Sequence, residues 1–274
     1  MTNTTDDPAA FDRILRFEAV HNVRDLGGLA AADDRRTRPR IALRAATIFA
    51  ATPADREQLR ALDVERIFDL RAFPELARDG FIDLSGIGAI REHVPIFRDT
   101  DISPEALVAR RKLYASDFSI VYMLMLREGA PSIRRIVEAI AEARRPVLFH
   151  CAGGKDRTGV VAAVLLLLAG VAPELIAEDY ALTAEHLPAP SEERLMAGMA
   201  RMGLDRAEFL EMLSARPQAM LRTLERLHAA YGSAAGYLRS IGVAVDVLEA
   251  FRARLLEPAD ATAACSMPHR AATG

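Results

Sequence analysis

Short apolar runs and longer helical stripes take turns along the chain. Residues 64–70 (VERIFDL) and 146–150 (PVLFH) are bounded, almost continuous apolar runs, the pattern of strands buried on both faces. Residues 40–44 and 93–96 predict two further short strands. Thr52 before Pro53 marks an N-cap and a first turn, so a helix is predicted through Leu62. Residues 104–128 are mostly helical, with Leu107, Leu113, Phe118, Val121 and Leu124 on a rough stripe. Ile133, Ile136, Val137 and Ile140 share one face of an amphipathic helix over 132–145. The helix over 158–170 is closed by Gly170, with Pro173 beyond it. Residues 173–187, 191–231 (with breaks near Gly203 and Pro217) and 240–256 complete the helical set. Strands alternating with helices predict an α/β layered fold.

The 274 residues suit one large domain or two small ones, and 51% hydrophobic content supplies a substantial core. No repeat or long linker divides 11–257, so these are predicted to form a single domain. Residues 1–10 and 258–274 lack apolar periodicity and are predicted to be disordered tails. A net charge of −3 provides no bulk cationic field for nucleic acid or membranes. The N-terminus has neither the basic start nor the apolar core of a signal peptide. The longest apolar run, 160–171, is too short to span a bilayer. A soluble, cytoplasmic protein is therefore expected, with export lacking a signal peptide left open. Two cysteines, Cys151 and Cys265, form no disulfide framework and fit a reducing compartment. They are too few for a Cys-based zinc site, and no His/Asp/Glu cluster suggests another metal, so no metal or cofactor is expected. Trp is absent, and Lys112 and Lys155 are the only lysines.

One stretch carries chemistry. A buried strand is predicted to end at His150, a Gly-rich loop follows (CAGGKDR), and a helix starts near Arg157. Unpaired N–H groups at a helix N-terminus, together with the helix dipole, form an anion site. Gly153 and Gly154 let the loop curl so that successive N–H groups converge. A phosphate would sit against Ala152, Gly153, Gly154, Lys155, Asp156 and Arg157. The same field favours a thiolate at Cys151, which could attack phosphorus directly. Arg157 can grip two phosphate oxygens as a fork. Thr158 can donate its hydroxyl to Cys151 and so ease departure of the thiolate. Cradle, nucleophile and clamp are what phosphoryl transfer needs.

His150-Cys151-x5-Arg157-Thr158-Gly159 resembles the signature of the cysteine-dependent protein-tyrosine phosphatases. The fuller string HCAGGKDRTG resembles a bacterial branch of that family whose loop reads HCxxGKDRTG. NVRDLGG (22–28), FDLR (68–71), DYALT (179–183) and YGSAAGYLRSIGV (231–243) also fit that branch, over roughly 17–257. The resemblance implies the phosphatase fold, a central and mostly parallel sheet flanked by helices, with extra helices in the C-terminal half. It implies a dual- or broad-specificity protein-tyrosine phosphatase acting on phosphorylated protein or phosphoinositide. It also implies that His150 orders the loop, and that Arg24 and Asp25 belong to a segment bracing it.

A leaving phenol or alcohol needs a proton, help worth ~10²–10⁴-fold. Asp69, at a predicted strand end, ranks first for this role and Asp156 second. The bland alternative for Asp69 is an ion pair with Arg71 or Arg24. Lys155 is either a solvated loop charge or a cation at the pocket mouth. A lipid-phosphatase branch has a similar Gly-Lys pair, which implies that extra phosphates of a phosphoinositide would meet Lys155; that branch also has a lysine where this chain has Ala152. Residues 191–230 hold Met196, Met199, Met202, Met212 and Met220. They are either ordinary core or, as the resemblance implies, a helical lid. A non-catalytic phosphate-binding module and a sulfurtransferase-like thiol enzyme remain as alternatives, and the oligomeric state is open.

Overall fold

The computed structural model describes residues 11–97 and 117–259. Tail 1–10, the part of the predicted 104–128 helix before residue 117, Lys112 and Cys265 lie outside the described residues. The sheet that positions the site has five strands. They are β1 (Arg24–Asp25), β4 (Ala42–Ala45), β5 (Arg66–Asp69), β6 (Ile90–His93) and β7 (Val147–His150), in the order β1-β4-β7-β5-β6. All neighbours are parallel except the short β1. The continuous apolar runs fall where such a sheet needs them. β7 is central, and all four of its residues are buried. A second, small sheet joins β2 (Ala30–Ala31), β3 (Arg35–Thr37) and β8 (Leu256–Pro258).

The helices are α1 (Pro53–Ala61), α2 (Phe73–Asp79), α3 (Phe118–Glu128), α4 (Ala130–Glu142), α5 (Asp156–Leu168) and α6 (Pro173–Ala181). After these come α7 (Thr183–His186), α8 (Glu192–Met202), α9 (Arg206–Leu213), α10 (Pro217–Tyr231), α11 (Ala234–Ser240) and α12 (Val245–Leu255). Thr52 caps α1 as expected: its hydroxyl accepts from the Asp55 amide at 3.1 Å, and Asp55 accepts in return from the Thr52 amide at 3.2 Å. α5 has no polar face and is buried over almost its whole length, the core helix of the molecule.

Three expectations shift. The tail does not begin at 258, because Pro258 pairs with Arg35 in β3 and the Ala259 amide donates to Asp34. The last predicted helix, 240–256, begins only at Val245, after a left-handed Gly242, and is preceded by the unpredicted helix α11. The stretch 191–230 is not one unit. α10 buries Met220, Leu224 and Leu227 against α3 and α6, so this third of it is core. α8 and α9 pack chiefly on each other, with Phe209 filling the space over Gly198.

Candidate active site

Three strand ends reach the same level. Ala45 pairs with His150 and His150 with Asp69, so β4, β7 and β5 finish side by side. At such an edge of a parallel sheet ligands bind. Cys151 follows β7 directly and is only 2% exposed.

The carbonyls of the loop after it are held from outside. Ala152 O accepts from the Thr47 amide at 2.9 Å. Gly153 O and Gly154 O each accept from Asn22 Nδ2 at 3.1 Å, and Gly154 O also accepts from Arg44 Nη2 at 2.8 Å. In a planar trans peptide the C=O and the following N–H point in opposite directions. Drawing these three carbonyls outward therefore turns the amides of Gly153, Gly154 and Lys155 inward. None of these amides has an acceptor among the described residues. Gly154 sits at φ +66, and a Cβ there would lie 2.6 Å from the Ala45 carbonyl oxygen, so the turn has room only for glycine.

The outer clamp is anchored on Asp179. Its carboxylate accepts from Arg44 Nη1 at 2.6 Å and from Arg13 Nη2, and lies 3.6 Å from Arg24 Nε. Arg24 donates onward to Asn22 Oδ1, and through Nη2 to Asp179 O at 2.9 Å. Arg24, Arg44 and Asp179 are all but completely buried. Burial raises the Asp179 carboxyl, but the three arginines outweigh it and bring it down to about 2.

Arg157 is pinned from the side. Its two terminal nitrogens donate to the two oxygens of Glu75 on α2, one of them at 2.9 Å. A guanidinium has five N–H groups, so three remain for a phosphate. Burial works against the Arg157 charge. The Cys151 sulfur and Glu75 more than offset this and hold the guanidinium above its ordinary range. Glu75 is kept low: burial raises it, and the Arg157 bonds overcome that.

Thr158 is buried, and its hydroxyl has no partner among the described residues. His150 is buried beside the Cys151 carbonyl, its Nδ1 3.3 Å from that oxygen. Burial pulls the imidazole below its ordinary value, only partly opposed by Asp69. Asp69 is enclosed by Arg71, accepting from Nε at 3.0 Å, from Nη2 at 2.7 Å and from the backbone amide at 3.0 Å. His150 Nε2 lies 3.8 Å from Asp69 Oδ2. Burial raises the Asp69 carboxyl, and Arg71 with His150 brings it below the usual carboxylate range. Asp156, at the start of α5, keeps its side chain 32% exposed. Its Oδ1 accepts from Tyr122 Oη at 2.6 Å and lies 3.5 Å from Lys155 Nζ.

Lys155 is neither solvated nor at a free mouth. Its ammonium donates to Met212 O at 2.7 Å and Ser214 O at 2.9 Å, at the C-terminal end of α9, and lies 5.3 Å from the Phe118 ring centroid. Among the described residues Asp25 has no hydrogen bond to the loop. It accepts from the Gly27 amide at 2.8 Å and the Arg40 amide at 2.7 Å, and so ties the turn before β2, while burial lifts its carboxyl to about 6.

Glu75, Arg44, Tyr122 and Asp179 escaped sequence reasoning as site residues. Arg44 had a readable signal, a charge inside the apolar run IALRAA (41–46), which must be paired if buried.

The site thus brings together a thiol at the end of a central parallel strand, loop amides without acceptors among the described residues, and an arginine pinned by Glu75. A model of the tyrosine phosphatase family matches residues 15–257, and the chain belongs to that family of protein phosphatases. A tyrosine-protein phosphatase of Nostoc commune is 34% identical over 227 residues, 78% of this chain and 73% of that protein. A putative tyrosine-protein phosphatase of Cupriavidus necator is 31% identical over 246 residues, 86% of each chain. The triple specificity protein phosphatase PtpB of Mycobacterium tuberculosis is 28% identical over 283 residues, 89% of this chain and 99% of that protein. Among the described residues, no helix is long and apolar enough to cross a membrane.

Proposed function

We propose that the protein hydrolyses phosphomonoesters through a cysteinyl-phosphate intermediate, with phosphotyrosine as the leading substrate. Cys151 attacks phosphorus and the bond to the leaving oxygen breaks, while that oxygen takes a proton from Asp156. Arg157 and the inward amides carry the charge on the equatorial oxygens. Water then attacks the thiophosphate, Asp156 takes its proton, and the Thr158 hydroxyl supports the departing thiolate. This assignment of the acid reverses the sequence-based order. Asp69 is buried with both of its oxygens occupied by Arg71, whereas Asp156 keeps a side chain 32% exposed and its Oδ2 unpaired among the described residues.

The observation that carries the reading is the buried Cys151 beside an Arg157 fixed by Glu75, next to loop amides without acceptors. Phosphoserine, phosphothreonine and phosphoinositides belong in the substrate panel because the Mycobacterium tuberculosis relative carries triple specificity in its name. Lys155 offers phosphoinositides little, since its ammonium already serves two carbonyls.

The test is p-nitrophenyl phosphate hydrolysis by wild type and Cys151→Ser, with chelator and reductant present. Turnover should persist with chelator in wild type and fall by at least about three orders of magnitude in the variant. Acid-quenched wild type should carry phosphate on Cys151 by mass spectrometry. Equal turnover by the variant would overturn the mechanism. A folded wild type that binds vanadate without turning over would instead be a binding module.

A further inference from the structure

Phe118 and Tyr122 lie four residues apart on α3, hence on one face, and both meet the phosphate loop. Phe118 faces Lys155, and Tyr122 donates to Asp156 at 2.6 Å. Tyr122 is fully buried, and among the described residues its other hydroxyl neighbour is Tyr180 Oη on α6, at 2.7 Å. Burial, then the Asp156 charge and Tyr180, push the Tyr122 phenol well above its ordinary value. It therefore stays protonated through the working range and acts as a fixed donor. Two side chains thus address Asp156 Oδ1, Tyr122 in direct hydrogen bond and Lys155 at 3.5 Å, while Oδ2 is left over.

We infer that Tyr122 is a positioning residue of the reaction, holding Asp156 Oδ1 so that Oδ2 is the oxygen that exchanges a proton with the leaving group and then with water. This rests on Asp156 as the acid–base group. Tyr122 itself gives up no proton. Its hydrogen bond fixes the carboxylate's rotation, and Tyr180 supports the phenol oxygen from behind. The charged and titratable groups around Asp156 among the described residues are Tyr122 on α3, Tyr180 on α6, and Lys155, Arg157 and Cys151 of the loop.

The experiment compares wild type, Tyr122→Phe, Tyr180→Phe and Asp156→Asn on two substrates across pH. Phenyl phosphate has a poor leaving group that needs the acid, and 2,4-dinitrophenyl phosphate has a good one that does not. Asp156→Asn should lose ~10²-fold or more on phenyl phosphate and little on the dinitrophenyl ester. Tyr122→Phe should lose roughly tenfold on phenyl phosphate, less than about twofold on the dinitrophenyl ester, and move the alkaline limb of kcat/KM to higher pH. That limb moves up because the variant no longer stabilises the charged carboxylate. Tyr180→Phe should show the same pattern in weaker form, and it decides the matter if Tyr122→Phe does not fold. Equal losses on both esters with an unmoved limb would reduce Tyr122 to a packing residue and overturn the inference. If Asp156→Asn is as active as wild type on phenyl phosphate, the acid assignment fails first and the inference with it.

Discussion

Gly154 shows how narrowly the loop's shape is set at the scale of one residue. Its backbone lies in the left-handed region, and the nearest atoms to an added Cβ are the backbone of Ala45 and Ala46, which cannot swing aside. A non-glycine residue pays ~1–2 kcal/mol for the conformation alone. Gly154→Ala is therefore expected to fold but to misplace the inward amides, where a shift of about 1 Å can cost ~10²-fold. Steady-state kinetics and vanadate inhibition check this, and wild-type values for both would show that the loop absorbs the methyl group. Cys151, Arg157 and the two loop glycines were legible in the sequence because their geometry is local, seven consecutive residues on a strand end and a helix start. Glu75 was not, because it meets Arg157 from 82 residues away, and the pairing of Arg44 with Gly154 spans 110. Contacts of that length follow from the order of strands in the sheet, which no motif spells out. Asp69 illustrates the converse. Its place at a strand end was readable, but Arg71, two residues on, folds back to neutralise it.

At the scale of elements, continuous apolar runs gave β5 and β7 correctly, and the Thr52-Pro53 start gave α1, a helical stripe α4 and the closing Gly170 α5, each within a few residues. β1, β2 and β3 are two or three residues long and paired by turns rather than by a buried stripe, so periodicity is silent on them. α2 was missed because Ala72 at its N-cap has no side-chain oxygen to mark a start and its seven residues are too few to show a stripe. The methionine-rich stretch divides by function. α10 is core, while α8 and α9 form a hairpin whose far end is fastened to the phosphate loop through Lys155. An ammonium on two helix-end carbonyls is a charge-assisted contact worth roughly 1.5–3 kcal/mol. Lys155→Met should therefore open the hairpin roughly ten- to a hundredfold more often. Limited proteolysis within 192–213 and alkylation of Cys151 by iodoacetate should both accelerate by that order. Unchanged rates would mean that contacts elsewhere on the hairpin hold it closed.

Across the whole molecule, one carboxylate organises charges drawn from three other elements or segments. Asp179 on α6 joins Arg13 of the N-terminal segment, Arg24 of β1 and Arg44 of β4, and two of those arginines steer the loop carbonyls through Asn22 and directly. Fold stability and loop geometry thus share a component. Removing the anion leaves buried guanidinium groups without compensation, a kind of change that costs ~3–5 kcal/mol. Asp179→Asn should lower the Tm by roughly 10 °C, at ~2–4 °C per kcal/mol for a chain of this size, and reduce kcat/KM as Asn22 and Arg44 lose their anchor. The pH dependence separates this from loss of packing. Because the Asp179 carboxyl is held at about 2 in the folded protein against an ordinary 3.8, its contribution is complete above about pH 4 and disappears as pH falls through 2. Denaturant unfolding at pH 6, 4, 3 and 2 should therefore find wild type and Asp179→Asn far apart at the first two values and converging at the last two. A gap that stays constant down to pH 2 would assign the loss to shape rather than charge, and would remove Asp179 as the electrostatic anchor of the loop.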